Sequence, residues 1–287
     1  MPRTYRDLGL RRGDSDAAQR WGGRKQALGE ITPVAELQAD LRSIGLLGSK
    51  PDGGFGGETE TAVEAFQAAV VHGARSIDGT GAIAPVAAAP LPQDGIVDSA
   101  TADIVSGLVD AGRRLTGWLV RLDSGAMAAT ALSDGFDRIA NPSVGAADIV
   151  VDVDFASALR RLDQSARGLQ VRLIVTQALR LVGDAVSGAI VPPAKKSQHL
   201  IGHAVDLNIA DGDVLNNSRL YAAKKWTANA KQFADGAVAG GLRWNAKFSP
   251  VDPVHFDLQV DPNAPLWQAK YVLNQAMVAL KHPIAAA

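Results

Sequence analysis

Apolar residues recur at helical spacing early in the chain. Val34, Leu37, Leu41 and Ile44 fall on one face of a 3.6-residue period, and Gly45 stands where a C-terminal cap belongs, which predicts a helix. An Asp/Gly-rich turn at 52–57 follows. It feeds a second helix along which Thr59, Ala62, Val63, Phe66 and Gln67 lie, with the apolar members on one face. DGIVDSATADIVSGL repeats the scheme in short form: Asp94-Gly95, a small-residue turn, then Thr101 opening another helix. Between the two copies, the Ala/Gly/Pro-rich run GARSIDGTGAIAPVAAAPLP breaks the pattern.

The pattern fades from 111 to 146, where local helical stretches and a turn-like Asn-Pro-Ser predict a linker. Periodicity returns near Ala147. DFASALRRLDQSARG reads as an amphipathic helix, VRLIVTQALR as a buried strand ending at Arg180, and VDLNI as an alternating strand. A helix from about Trp226 to Ala239, two strand signals in GGLRWNAKFSPVDPVHFDLQV and a C-terminal helix in PLWQAKYVLNQAMVALK complete the chain. Helices and short strands do not alternate as in a parallel fold. The expected class is α+β, a helical module followed by a domain with a small antiparallel sheet flanked by helices. The expected layout is a solvated, flexible leader at 1–30, a helical module at 31–110, a linker at 111–146 and a second domain at 147–287.

Composition narrows the function. A formal net charge of −1 gives no electrostatic support to nucleic-acid binding. Cysteine is absent, so any metal must be held by His, Asp and Glu. The arginine-rich N-terminus lacks the apolar core of a secretory signal, and no run is long and apolar enough for a membrane helix. The chain is expected to be made in the cytoplasm without membrane insertion.

Only five histidines occur, and two of them stand in SQHLIGHAVD. In the strand that follows, Ala204, Asp206 and Asn208 share one face, while Val205, Leu207 and Ile209 share the other. The Val/Leu/Ile face belongs to the core, which turns Asp206 to the opposite side. A second cluster, DPVHFDL, sets Asp252 three residues before His255. Two histidines and a carboxylate are a sound donor set for a catalytic Zn²⁺ with one position left for water. A further carboxylate must then accept a proton from the water and pass it to the leaving amine, for which Asp252 is the candidate. The bland alternative is a hydrogen-bonded structural histidine and a capping aspartate.

Two family resemblances sharpen this reading. Leu37-Gln38, Leu41, Gly45, Asp52-Gly53, Phe55-Gly56, Thr59, Ala62-Val63, Phe66-Gln67, Asp94-Gly95 and Thr101 resemble the peptidoglycan-binding domain, a three-helix module; Asp98 stands where that family usually has glycine. Ser197-x-His199-x-x-Gly202-x-Ala204-x-Asp206, followed by Asp252-x-x-His255-Phe256, is similar to the signature of the zinc D-Ala-D-Ala carboxypeptidase and L-alanyl-D-glutamate endopeptidase family. The second resemblance includes Thr176 to Arg180 and Gly241-Leu242-x-Trp244. It implies His199, Asp206 and His255 as zinc ligands, Asp252 as the base, and Arg180 facing the scissile carbonyl, with a structural ion pair as the alternative for Arg180. Ser197 is expected to orient substrate or a ligand, or to form a turn. His203 occupies a variable position; a fourth protein ligand would close the site to water, so it is expected to line the cleft. Trp244 reads equally as a cleft wall or a core residue.

The implied protein is an endolysin-like, monomeric zinc peptidase with bacterial peptidoglycan as its partner. It would reach the wall after release by a phage-type or export route, where the binding module raises the local substrate concentration. Asp252 and Val254 ahead of His255 resemble the endopeptidase branch of that family more than its carboxypeptidases, which implies the L-alanyl-D-glutamate bond. The D-Ala-D-Ala carboxypeptidase is the enzymatic alternative, and a non-catalytic wall-binding protein is the alternative from another class.

Overall fold

Gln38 and Gln67 organise the first of two compact units, which comprises residues 1–118 and 263–276. The structure, a computed structural model, describes residues 3–25, 31–87, 89–183, 196–247 and 251–287. Gln38 sits on helix α1 (Pro33–Ser43) and Gln67 on α2 (Gly57–Val71); α3 spans Ser99–Asp110. The Gln38 amide nitrogen donates to Asp52 Oδ1 at 2.8 Å and to the Gly54 carbonyl at 3.0 Å. Its oxygen accepts from the amides of Asp52 and Gly53, both at 2.9 Å. Gln67 makes the same set with the next turn: Ile96 carbonyl at 2.8 Å, Asp94 amide at 3.1 Å and Gly95 amide at 3.0 Å. A neutral carboxamide offers donors and an acceptor together, so it can pin an Asp-Gly turn without burying charge. The half-repeat visible in the sequence is thus a repeated hydrogen-bonding unit. Asp98 caps α3, accepting from the Thr101 amide at 2.7 Å.

Residues 3–25 do not behave as the expected solvated leader. Tyr5, Leu10 and Trp21 are fully buried in the core that α1, α2 and α3 build. Asp16 accepts from the Val34 and Ala35 amides at 3.1 and 2.9 Å, so it caps α1 from well upstream. Three isolated apolar anchors carry no period, which is why the pattern hid them. A hairpin, β1 (Arg20–Trp21) with β2 (Arg24–Lys25), closes this segment. The Ala/Gly/Pro-rich interruption supplies β3 (Arg75–Ile77) and β4 (Ile83–Pro85), and β3 pairs in turn with β5 (Arg114–Thr116).

The second unit comprises residues 119–262 and 277–287. Its strands are β6 (Leu119–Asp123), β7 (Thr130–Leu132), β8 (Asp148–Asp152), β9 (Arg172–Gln177), β10 (Ala204–Asp211), β11 (Val214–Asn216), β12 (Arg243–Trp244), β13 (His255–Asp257) and β14 (Ala285–Ala286). The main sheet runs β12-β13-β10-β9-β7 with β11 beside β10. All its pairs are antiparallel except β7 with β9, so the sheet is mixed, not purely antiparallel as expected. β6, β8 and β14 form a second sheet. Helices α4 (Val153–Gly168), α5 (Ser218–Ala222) and α6 (Ala228–Ala239) complete the unit. Val205, Leu207 and Ile209 of β10 pack with Phe155, Leu159, Phe233 and Phe256 in its core.

Two boundaries differ from expectation. Residues 111–146 are no linker, since they contain β5, β6 and β7. β6 alternates only from Val120 to Asp123, a run too short to stand out as a strand. The C-terminal helix, Pro265–Ala279, was expected in the second domain, yet its residues up to 276 group with the first unit. Ala269 and Leu273 are buried in that unit's core, Asn274 Oδ1 accepts the Trp118 amide at 2.8 Å, and the Lys270 ammonium lies 4.9 Å from the Trp118 ring centre. Among the described residues, no helix is long and apolar enough to cross a membrane.

Candidate metal centre

Three local devices bring His199, Asp206 and His255 together. His199 lies in a 3-10 turn, Gln198–Ile201, whose start is capped by the Ser197 hydroxyl. Gly202 ends the turn at φ +75°, and a Cβ there would stand 2.6 Å from the Asp152 amide nitrogen. Only glycine lets the chain reverse this close to β8, where the Asp152 amide donates to the Gly202 carbonyl at 2.9 Å. Asp206 follows on β10. It is paired with His255 of β13 on one side and Gln177 of β9 on the other, and the register with β9 shifts between Asp206 and Leu207. Such an irregularity re-aims a side chain without breaking the sheet. Core residues Val205 and Leu207 hold the other face of β10 in place.

The donor atoms converge. His199 Nε2 lies 3.0 Å from His255 Nδ1 and 3.2 Å from Asp206 Oδ1, and His255 Nδ1 lies 2.9 Å from the same oxygen. Both rings are buried, His199 to 3% exposure. The outer nitrogens meet acceptors: His199 Nδ1 is 2.6 Å from the Ala178 carbonyl, and His255 Nε2 is 3.0 Å from Asp257 Oδ2. A carbonyl and a carboxylate accept only, so in the neutral rings each outer nitrogen carries the hydrogen. The inner nitrogens then direct two lone pairs at each other and at a carboxylate. Such a set is unfavourable by itself and asks for a cation, a proton or a metal ion. Its chemistry fits a divalent ion bound through His199 Nε2, Asp206 and His255 Nδ1.

The electrostatics follow from this crowding. Burial would raise the Asp206 carboxyl, but the two imidazoles overcome it and hold the group well below the usual carboxylate range. Burial would lower His255; its hydrogen bonds to Asp206 and Asp257 push it up to about 9. Asp252 is shifted upward, first by burial and then by the negative charge of Asp206. It stands just before β13, its amide 3.2 Å from the Asn245 carbonyl and its carbonyl accepting from the His255 amide at 3.3 Å. The structure therefore brings Asp252 into the field of the triad without adding it to the donor cluster.

The remaining residues fall differently. The Arg180 amide donates to the His199 carbonyl at 3.1 Å, and its side chain is buried. Ser197 serves as the cap already described. His203 does not line a cleft: it is 2% exposed, its Nδ1 lies 3.1 Å from the Leu258 carbonyl and its Nε2 is 3.3 Å from Asp152 Oδ1. Its expected place on the site face failed because Gly202 folds this segment back against β8. Trp244 is a core residue, stacked between Trp226 and Phe256, with its indole nitrogen donating to the Pro253 carbonyl at 2.8 Å. His72 and His282 lie outside the cluster. Part of the PPAKK stretch ahead of Ser197 lies outside the described residues.

Asp257 and Arg243 escaped the sequence reading. Arg243 of β12 stands directly opposite Asp257 of β13 and donates to both carboxylate oxygens, from Nε at 2.7 Å and from Nη2 at 2.9 Å. A signal was available: Asp257 is two residues beyond His255, so on a strand the two side chains share a face.

Residues 192–258 match the D-alanyl-D-alanine carboxypeptidase family, spanning His199, Asp206, Asp252 and His255. Residues 32–70 match the putative peptidoglycan binding domain, spanning α1, the Gln38-bound turn and almost all of α2. Both agree with the resemblances read from the sequence and with their order along the chain. Together they support a peptidoglycan-acting peptidase, and the family matched by residues 192–258 is generally metal-dependent. No curated protein matches the chain.

Proposed function

We propose that this protein is a zinc peptidase that hydrolyses the stem peptide of bacterial peptidoglycan, with residues 31–110 contributing wall binding. The convergence of His199 Nε2, Asp206 Oδ1 and His255 Nδ1 on one point carries the reading. A divalent ion held there supplies a positive charge that polarises a carbonyl and lowers the pKa of water toward about 7. Asp252 accepts the proton of the attacking water and delivers it to the leaving amine; burial and the charge of Asp206 shift its carboxyl upward, which makes it a stronger base than a free carboxylate. Arg180 stabilises the oxyanion that forms at the scissile carbonyl. Ser197 acts through His199, whose turn it caps.

The bond assigned is L-alanyl-D-glutamate, on the Asp252-x-Val254-His255 context. The D-alanyl-D-alanine bond is the second reading, favoured by the description of the family that matches residues 192–258. Mass analysis of muropeptides digested by the full chain tests both. Loss of a terminal alanine supports the carboxypeptidase, release of the peptide from its first alanine supports the endopeptidase, and no new mass under zinc overturns both. The protein is taken to act as a monomer on wall material it reaches after release from the cell that makes it.

A further inference from the structure

His255 differs from His199 in what holds its outer nitrogen. The His199 ring leans on a backbone carbonyl, which any residue at position 178 would supply. The His255 ring leans on the carboxylate of Asp257, a side chain only 1% exposed. That carboxylate is held in turn by the Arg243 fork, bidentate and set directly across the strand pair. Oδ2 accepts from both His255 Nε2 and Arg243 Nη2, while Oδ1 accepts from Arg243 Nε.

A stability role does not account for this arrangement. Removing a carboxylate from water costs several kcal/mol, and a buried ion pair commonly does no better than apolar residues of the same volume. The Arg243 side chain keeps 32% of its exposure, so the attraction it offers is partly screened by solvent. What the pair does achieve is geometric. A planar guanidinium bound at two points fixes the carboxylate plane. The fixed carboxylate keeps the hydrogen of His255 on Nε2 and stops the ring from turning about its χ2 bond.

We propose that Asp257, clamped by Arg243, is the positioning residue that selects the tautomer and orientation of His255, so that Nδ1 is presented to the metal. The inference rests on the reading of His199, Asp206 and His255 as a zinc site and goes beyond it by assigning the pair that tunes it. Loss of the carboxylate frees the ring to flip or to move its hydrogen to Nδ1, and either change removes a donor. Partners of this kind commonly govern metal affinity by about 10–100-fold.

The test uses the full chain, with zinc affinity read by chelator competition and the imidazole nitrogens read by long-range proton–nitrogen correlation spectra. Asp257→Ala is expected to weaken zinc by about 10–100-fold and to shift or broaden the Nε2 hydrogen of His255, leaving His199 unchanged. Asp257→Asn, which keeps an acceptor oxygen, is expected to fall between Asp257→Ala and the unchanged chain. Arg243→Gln leaves the carboxylate in place but unclamped, so it tests the inference even if Asp257→Ala fails to fold; its expected effect is in the same direction and smaller. Wild-type zinc affinity together with an unshifted His255 spectrum in the folded Asp257 and Arg243 variants overturns the inference alone. Failure of the unchanged chain to take up zinc overturns the metal reading and this inference with it.

Discussion

His199 and His255 meet edge to face, their ring centres 4.8 Å apart and their inner nitrogens at 3.0 Å. That approach, with Asp206 Oδ1 within 3.2 Å of both, is poised for a cation. The full chain is therefore expected to bind one zinc ion. His199→Ala and His255→Ala are each expected to lose most of it, as measured by elemental analysis after dialysis. Full retention in both variants removes the site.

The same crowding sets a pH dependence. In metal-free protein His255 is raised from 6.5 to about 9 by Asp206 and Asp257, against the opposing effect of burial. A group raised on folding stabilises the fold fully below its unfolded pKa and loses that contribution as pH rises through the folded value. The metal-free protein is thus expected to lose thermal stability between about pH 6.5 and 9 at this site. Zinc uptake below pH 9 must displace that proton, so apparent affinity should rise with pH across the window. Calorimetry in buffers of different ionisation heat measures the proton released; no release at pH 7.5 contradicts the assignment.

The first unit gives a stability prediction. Gln67 is fully buried, and its carboxamide serves the amides of Asp94 and Gly95 and the carbonyl of Ile96. Gln67→Leu keeps the volume but leaves these groups without that partner, at roughly 1–3 kcal/mol for each one that stays dry. Gln38→Leu should behave alike at the Asp52-Gly53 turn. Thermal melts read the loss, and an unchanged midpoint for both variants would show that the repeat is not held in this way.

Much of this was legible in the sequence, and the reasons for the rest are physical. Long helices with one apolar face, such as α1 and α4, announce themselves through period. That His199, Asp206 and His255 lie together was legible because the family-like spacing named all three and strand alternation turned Asp206 away from the core. Tyr5, Leu10 and Trp21 were not, because single anchors leave no period, and β6 was not, because its alternation lasts only from Val120 to Asp123. His203 misled for a different reason: its position in the motif says nothing about the turn at Gly202 that carries its ring to Asp152. Asp257 was within reach of the period-2 rule, but its meaning depends on Arg243, brought opposite by the pairing of β12 with β13.

Cutting the chain between the units should fail. A chain beginning at residue 119 retains the C-terminal helix but loses the core in which Ala269 and Leu273 are buried. Ending the chain at 262 is no remedy, because it deletes β14, which pairs with β6, and buried Met277 and Ile284. Both truncations are expected to aggregate or to bind a hydrophobic dye, as size exclusion and fluorescence would record. A monodisperse, cooperatively melting 119–287 fragment contradicts this. Wall binding by the first unit is better tested by surface substitutions in the intact chain.

Asp206 and Asp252 carry the sharpest mechanistic distinction. Asp206 lies within 2.9 Å of His255 Nδ1 and is held ionised by two imidazoles, as a metal ligand requires. Asp252 is shifted the other way, by burial and by the charge of Asp206, the direction expected of the proton carrier proposed above. Asp206→Ala is therefore expected to lose zinc, and activity with it. Asp252→Ala is expected to keep one zinc per chain and the wild-type fold, while turnover of muropeptides falls by about 10²–10⁴-fold. Asp252→Asn should match Asp252→Ala in rate, because an amide cannot accept the proton. Metal content and turnover measured on the same preparations separate the roles. If Asp252→Ala lost its metal while Asp206→Ala kept it, the two roles would be exchanged; the peptidase reading would survive, but the proposed proton path would not.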